Sequence, residues 1–269
     1  MFKFGISSWC YPWSVGVAKG PIPEKKMTAL ELLQKAVEHG ADLVQIADNL
    51  PLENLTEQQL EELRDFSVSR GISIEVGTKD IQRDHLLRML EIAGFLGSPI
   101  LRVLPAFFGS NAVMKEVEEL IAAVLPDFER RGVTMVLENT EAFQAEEYAG
   151  LMERIGHPRF RMCIDLANAL GAMEGPEYFL GKMIRYCGNF HFKDVTIRRS
   201  ETLMGFSVEG RPAGQGDLSL PWILDHMKSE GLTPSIILEL WPPFDRTIER
   251  TMDLEDRWVK ESMSYVKSL

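Results

Sequence analysis

Short apolar runs alternate with longer amphipathic stretches along the whole of this 269-residue chain. Eight runs have the length and the continuous apolar character of buried parallel strands. We predict these strands near residues 2–9, 42–48, 72–78, 100–106, 134–140, 160–166, 189–195 and 235–241. The stretches between them carry apolar residues at spacings of three and four, which is typical of helices that pack against a sheet.

The boundaries of several helices are marked by capping residues. Thr28 and Thr56 stand where an N-cap is expected, and glycines follow the predicted ends. We predict helices at 28–40, 56–71, 83–96, 111–131, 144–155, 176–186, 219–230 and 248–267. Pro126 lies inside the fourth of these and is predicted to kink or split it.

Eight strands that alternate with eight helices predict an α/β fold, a single-domain (β/α)8 TIM barrel over residues 1–269. An open doubly wound sheet is the alternative, but no G-x-G-x-x-G follows the first strand. Residues 10–26 and 196–217 are predicted to be long loops above the barrel mouth. Trp9, Tyr11 and Trp13 either plug the top of the barrel or contact a substrate.

Composition excludes several classes of function. The net charge of −11 disfavours a nucleic-acid partner, since phosphate backbones are bound by clustered basic residues. No apolar run is long enough to span a membrane. Cys10, Cys163 and Cys187 lie in or beside apolar runs and are predicted to be buried, reduced thiols, which fits a cytoplasmic protein.

Four charged or imidazole side chains follow apolar runs near the ends of predicted strands: Glu138, Asp165, His191 and Glu239. In a parallel barrel such positions meet at the mouth, where barrel enzymes keep their active sites. Each has a structural alternative, such as a salt bridge for Glu138, a helix N-cap for Asp165 or a core histidine for His191. Together they favour a metal site, because three buried carboxylates need a cation to neutralise them.

These four residues, with His191-Phe-Lys-Asp194 and Gly214-Gln-Gly-Asp217, resemble the xylose isomerase-like TIM-barrel superfamily. That superfamily includes sugar isomerases, ketose 3-epimerases, inosose dehydratases and endonuclease IV-type enzymes. The resemblance implies that Glu138, Asp165, His191 and Glu239 bind one divalent ion, usually manganese, magnesium or cobalt, with zinc possible. It also implies that Glu138 and Glu239 are the catalytic acid–base pair and that Arg211 approaches the substrate or a metal-bound water. The alternative for Arg211 is an ordinary solvated loop residue.

Further residues are candidates for substrate binding. Lys193 lies two residues after His191 and therefore shares its side of the strand, although it could equally pair with a carboxylate. Arg102 is a charge inside the fourth strand that contacts substrate or supports Glu138. Asn168 occupies a position that is histidine in many members of the superfamily. The chain also has only five histidines, too few in the right places for a trinuclear nuclease site.

The sequence thus predicts a cytoplasmic, metal-dependent sugar isomerase or epimerase with a small carbohydrate substrate, acting through an enediolate. A decarboxylase is the first alternative, because residues 45–52 and 239–243 resemble the 3-oxo-isoapionate decarboxylase-like branch. A dehydratase and an inactive sugar-binding barrel are the others. The resemblance also implies a homodimer or homotetramer, while a monomer stays open. Glu75 and Asp48 are additional candidates for contacts with sugar hydroxyls.

Overall fold

The computed structural model describes residues 1–105 and 114–269. Eight of the ten strands in this part of the chain close into a parallel barrel, and the other two form a separate antiparallel pair. The strands are β1 (Lys3–Ser7), β2 (Leu43–Ile46), β3 (Ser73–Lys79), β4 (Ile100–Leu104), β5 (Thr134–Glu138), β6 (Phe160–Asp165), β7 (Cys187–Phe192), β8 (Val195–Arg199), β9 (Phe206–Gly210) and β10 (Ser235–Leu238).

The barrel closes in the order β1-β10-β7-β6-β5-β4-β3-β2. All eight predicted strands are present, most of them shorter by a residue or more at one end or both. The predicted (β/α)8 architecture is confirmed, whereas an open sheet is excluded by the pairing of β1 with both β2 and β10. The predicted end of the fourth strand, residue 106, lies outside the described residues.

Helices follow the barrel strands and cover their outer face. They are α1 (Pro12–Val15), α2 (Ala29–Glu38), α3 (Glu57–Arg70), α4 (Arg83–Leu96), α5 (Met114–Arg131), α6 (Ala145–Ile155), α7 (Leu166–Gly171), α8 (Pro176–Met183), α9 (Leu220–Ser229) and α10 (Ile248–Val266). Thr28 and Thr56 form capping boxes at the start of α2 and α3. Gly71 and Gly97 adopt the left-handed conformation that ends α3 and α4.

Three local predictions need correction. The prediction that Pro126 splits the fourth helix is wrong, because α5 runs unbroken from Met114 to Arg131, whereas a kink at Pro126 stays a prediction. The predicted first residues of this helix, 111–113, lie outside the described part of the chain. The segment 10–26 contains the short helix α1. The segment 196–217 is largely a hairpin, in which β8 and β9 pair in register from Val195 with Gly210 to Arg199 with Phe206. Its alternating apolar and polar residues are a strand pattern that the loop prediction missed.

Parallel register brings the ends of neighbouring strands to one level. Glu138 lies opposite Cys163 in the β5–β6 pair, and Asp165 lies opposite His191 in the β6–β7 pair. The backbone N–H of Glu239 donates to the carbonyl of Phe192, so the chain keeps its pairing with β7 just beyond β10. The fold therefore places these side chains together at the carboxyl end of the barrel.

The core lies between the barrel strands and the helices, and all three cysteines are buried free thiols, as predicted. Burial raises the pKa of Cys163 to about 11, so that thiol is neutral at neutral pH.

Within residues 1–105 and 114–269, no helix is long and apolar enough to cross a membrane.

Candidate metal centre

Four strand-end side chains converge at the barrel mouth. One ligand atom from each of Glu138, Asp165, His191 and Glu239 lies within 4.8 Å of those of the others. All four residues are buried, with relative exposures of 0 to 1%. Three buried carboxylates this close together are destabilising unless cations neutralise them.

Asp165 ends β6 and caps the helix that follows. Its Oδ1 accepts from the backbone N–H of Ala167 at 2.9 Å and of Asn168 at 3.0 Å, as an N-cap does. Its Oδ2 accepts from Lys193. The backbone of Asp165 is tied to Asn139 by a pair of hydrogen bonds, both 2.8 Å long. The capping interpretation of Asp165 is thus correct, and the other oxygen still faces the site.

Glu138 has a donor at each oxygen. Its Oε2 accepts from Nε of Arg102, and its Oε1 accepts from Nδ2 of Asn168 at 3.0 Å. Arg102 also donates to Asp48 at 2.8 Å, which places its charge between two carboxylates. Burial raises the pKa of Glu138, but Arg102 and His191 lower it more, to about 2. Of the two roles predicted for Arg102, support of Glu138 is the one that these contacts show.

Two buried atoms at the centre have no hydrogen-bond partner among the described residues. They are Nδ1 of His191 and Oε1 of Glu239, which lie 3.3 Å apart. The same ring nitrogen lies 3.4 Å from Oε2 of Glu138. An unsatisfied nitrogen and an unsatisfied carboxylate oxygen that face each other are the arrangement expected where a cation belongs.

Lys193 stands beside the ligand set. Its ammonium contacts Oδ2 of Asp165 and lies 2.9 Å from Oε2 of Glu239 and 4.0 Å from Oε1 of Glu138. It also lies 5.5 Å from the centre of the Trp241 ring. These contacts confirm that Lys193 shares the side of β7 that carries His191, and that it pairs with carboxylates.

The charge of the cluster fits a divalent ion. Glu138, Asp165, Glu239 and Asp48 contribute four negative charges, and Arg102 and Lys193 contribute two positive charges. With His191 neutral, as a metal ligand must be, the sum is −2, which one divalent cation cancels. Three carboxylates and one imidazole suit manganese, magnesium, cobalt or zinc.

A cavity of about 170 Å³ opens above these ligands. The described residues that line it are Trp9, Arg102, Leu104, Glu138, Thr140, Glu141, Asn168, Lys193, Glu239 and Trp241. Three of the four predicted substrate-binding residues, Lys193, Asn168 and Arg102, are therefore at this cavity. Trp9 also lines it, which favours substrate contact over a purely structural plug, whereas Tyr11 is buried and donates to Asp256.

Arg211, the fourth predicted substrate-binding residue, is not among the described residues that line the cavity. Its guanidinium donates to Glu209 at 2.8 Å and to the carbonyl of Gly210 at 2.7 Å. Glu75 is also away from the cavity, because it lies lower in the barrel and accepts from Gln45, Asn189 and Ser235. Asp48 is close by, bonded to Arg102 and to Trp9.

Sequence reasoning missed other residues of the site. Thr140 and Glu141 line the cavity, and Asn139 joins β5 to β6. Their position directly after Glu138 at a strand end was a usable signal. Oε1 of Gln45 lies within hydrogen-bond distance of Nε2 of His191, 146 positions further along the chain, and no local pattern in the sequence marks that contact.

Comparison with known proteins agrees with this geometry. A family model described as xylose isomerase-like TIM barrel matches residues 33–269. The chain belongs to this family. It is 29% identical over 262 residues to the 3-oxo-isoapionate decarboxylase of Pectobacterium atrosepticum. The matched region covers 97% of this chain and 94% of the relative.

Solved structures share the fold at low identity. D-psicose 3-epimerase of Clostridium cellulolyticum H10, solved with D-tagatose, superposes with a TM-score of 0.75 at 15% identity, covering 99% of both chains. A xylose isomerase-like TIM barrel protein of Mycobacterium smegmatis, solved in complex with magnesium, has a TM-score of 0.73 at 14% identity, covering 98% of this chain and 97% of that one. These similarities establish the barrel architecture.

Proposed function

We propose that this chain is a divalent-metal-dependent decarboxylase of a small 3-oxo sugar acid. The observation that carries the proposal is the position of Lys193, a buried cation that lines the same cavity as Glu138 and Glu239, two members of the four-residue ligand set. A divalent ion held by Glu138, Asp165, His191 and Glu239 would stabilise the enediolate left when carbon dioxide departs.

Lys193 is suited to hold the substrate carboxylate. Its ammonium is shared between Asp165 and Glu239. A metal ion bound by Asp165 and Glu239 would weaken their attraction for the Lys193 ammonium. The ammonium would then be available to pair with an anion that enters the cavity. A substrate carboxylate would give the ammonium a charged acceptor that a neutral ketose does not offer.

The proton-transfer groups also favour decarboxylation. Both oxygens of Glu138 already accept hydrogen bonds, from Arg102 and Asn168, whereas Oε1 of Glu239 is unpartnered among the described residues. Glu239 would bind the metal through one oxygen, and it is the carboxylate of the two with fewer hydrogen-bond donors, which suits it to a single proton transfer. The bond to the carboxylate carbon breaks, its electron pair stays on the sugar as the enediolate, and a solvent-derived proton delivered through Glu239 replaces the lost group.

Deuterium exchange distinguishes the possible reactions. Purified protein with Mn²⁺ is incubated in deuterated water with a panel of ketoses and 3-oxo sugar acids, and NMR follows the products. We expect loss of carbon dioxide from an acid and deuterium at the former carboxyl position. If no member of the acid series loses carbon dioxide while a ketose takes up deuterium on an intact skeleton, the decarboxylase proposal is wrong.

Substitution of Lys193 tests the anchoring role. Lys193→Met should raise the KM for an acidic substrate at least tenfold, because the carboxylate loses its partner. Lys260→Met, which removes an exposed lysine from α10, is the matched control and should leave KM unchanged. An unaltered KM in the folded Lys193→Met protein would exclude the carboxylate contact.

A sugar isomerase or epimerase is the second candidate. Glu138 and Glu239 lie on either side of His191, at 3.4 and 3.3 Å from its Nδ1, so two carboxylates face a common centre. That arrangement suits proton removal and return at one carbon of a ketose, and the similar D-psicose 3-epimerase acts within the same fold. Deuterium incorporation without carbon loss in the panel above would favour it.

The cellular location and the oligomeric state are also proposed from the sequence. We place the protein in the cytoplasm, as a homodimer or homotetramer without a nucleic-acid or membrane partner. The three free buried thiols and the acidic net charge support this view. Fractionation of cells and light scattering on the purified protein test it.

A further inference from the structure

A buried polar network lies in the barrel beneath the ligand set. Nε2 of His191 lies 2.8 Å from Oε1 of Gln45, on β2. Gln45 is fully buried and continues the network to Glu75, on β3, and Asn189, on β7. The proposed metal role does not by itself explain why the barrel interior should be polar at this level, where packed apolar side chains are usual.

The orientation of the Gln45 amide follows from its other partners. Its Nε2 donates to Oε2 of Glu75 and to Oδ1 of Asn189, both at 3.1 Å. Oε2 of Glu75 also accepts from Nδ2 of Asn189 at 3.0 Å, and two amide donors on one oxygen make that oxygen an acceptor. Its other oxygen, Oε1, lies 2.5 Å from the hydroxyl of Ser235. A flipped amide would turn the Gln45 oxygen toward two acceptors, so the oxygen must face His191.

The orientation of Gln45 determines the tautomer of His191. An amide oxygen accepts, so Nε2 of the ring must carry a proton. The lone pair of a neutral His191 is then on Nδ1, the atom that faces Glu138 and Glu239 and has no partner among the described residues. A histidine that binds a metal through one nitrogen commonly donates its other N–H to a fixed acceptor.

We propose that Gln45 is a positioning residue that holds His191 with Nδ1 available to the metal, and that Glu75 and Asn189 fix Gln45. The inference rests on the proposed metal centre and extends it to three side chains that do not line the cavity. The hydrogen-bond roles of Gln45 follow from Oε2 of Glu75 and Oδ1 of Asn189, which both accept from its amide nitrogen.

Metal affinity tests the inference directly. In metal-stripped protein titrated with Mn²⁺ in a calorimeter, Gln45→Met should bind the ion about 10- to 100-fold more weakly than wild type. The exchanged variant Gln45→Glu/Glu75→Gln keeps an acceptor for His191 and the same total charge, and it should recover most of the affinity. Ser98→Ala removes a buried hydroxyl that bonds Val76 and Ile100 instead, and it should bind as wild type does.

The tautomer provides a second readout that does not depend on affinity. In Mg²⁺-loaded, ¹⁵N-labelled wild type, the ring signals of His191 should show the proton on Nε2; the chain has only five histidines, which simplifies assignment. A proton on Nδ1 would overturn the inference, even if Gln45→Met does not fold. Wild-type affinity in folded Gln45→Met, or no recovery in the exchanged variant, would also overturn it.

Failure of the proposed function would look different. A wild-type protein that binds none of Mn²⁺, Mg²⁺, Co²⁺ or Zn²⁺ would remove the metal centre itself and the role of Gln45 with it. A wild-type protein that binds Mn²⁺ with the same affinity as Gln45→Met would leave the centre intact and reject the positioning role alone.

Discussion

A metal ion and a proton compete for Nδ1 of His191. Burial lowers the pKa of this imidazole, but the carboxylates of Glu239 and Glu138 raise it by more, so it lies well above its usual value. Below that pKa the ring of the metal-free protein is protonated, and an incoming ion must displace the proton.

We therefore expect Mn²⁺ affinity to rise with pH by roughly tenfold per unit, until the pH reaches the raised pKa of His191. Calorimetric titrations in two buffers of different ionisation enthalpy should show about one proton released per bound ion. An affinity that does not change between pH 6 and 8 would contradict the competition.

Glu239 is the carboxylate with an unpartnered oxygen at the centre. Replacement by Gln removes its proton-transfer capacity and one ligand, so we expect kcat to fall by about 10²- to 10⁴-fold. Metal content, measured by mass spectrometry, separates the two causes, since a variant that retains the ion has lost only the proton transfer. Glu261→Gln, on the exposed face of α10, is the control. Wild-type turnover in Glu239→Gln would exclude the acid–base role.

At the scale of elements, helix α10 holds the segment that follows β1. Glu255 of α10 is fully buried and accepts from the backbone of Trp13 at 2.7 Å and from the backbone and hydroxyl of Ser14 at 3.0 and 2.5 Å. Trp13 in turn donates to the carbonyl of Pro242 at 2.9 Å. One carboxylate thus connects α10 to the segments beyond β1 and β10, which carry Trp9 and Trp241 to the cavity.

Glu255 should make stability depend on pH. Burial raises its pKa from 4.5 to about 7, although the bonds from Ser14 and Trp13 oppose the change. A carboxyl with a raised folded-state pKa stabilises the fold below its unfolded pKa and loses that contribution as the pH rises through the folded value. Between pH 4.5 and 8, wild type should therefore lose about 3 kcal/mol of unfolding free energy relative to Glu255→Gln.

Denaturant unfolding across this pH range measures that difference, with Glu261→Gln as the control for an exposed glutamate on the same helix. A constant difference between wild type and Glu255→Gln would show that the carboxyl does not titrate as described.

The elements themselves were largely predictable from local pattern. Strand and helix positions followed from the spacing of apolar residues along the chain. Local capping geometry marked the helix boundaries at Thr28, Thr56, Gly71 and Gly97. Helix α7 was missed because a six-residue helix shows little periodicity, and the β8–β9 hairpin was missed although its apolar and polar residues alternate.

At the scale of the whole molecule, the ligand set was predictable because a parallel barrel brings every strand end to one face. The contacts between the ligands were not. Gln45 and His191 meet inside the closed barrel although β1 and β10 lie between β2 and β7 in the strand order. That Arg102 both bonds Glu138 and lines the cavity depends on three-dimensional packing. Substrate contact by Arg211 stays a prediction: its side chain pairs with Glu209, and it is not among the described residues that line the cavity.

The same closed arrangement makes a bound ion a link between distant parts of the chain. The ligands come from β5, β6 and β7 and from the residue after β10, so one ion would join segments a hundred residues apart and relieve a net charge of −2. Binding to the folded state alone should add about 2.7 kcal/mol at a concentration of one hundred times Kd, which for a chain of this size is an increase in Tm of about 5 °C or more.

Thermal unfolding of chelator-treated protein, with and without Mn²⁺, measures this increase. His191→Asn is the matched control, because it removes the ligand at the centre of the set while preserving a polar side chain in the barrel, and its Tm should not respond to Mn²⁺. An equal response in wild type and His191→Asn would mean that the ion binds elsewhere. A response in wild type alone would show that the four strand-end ligands act as one site, since loss of a single ligand would then abolish the stabilisation that all four provide together.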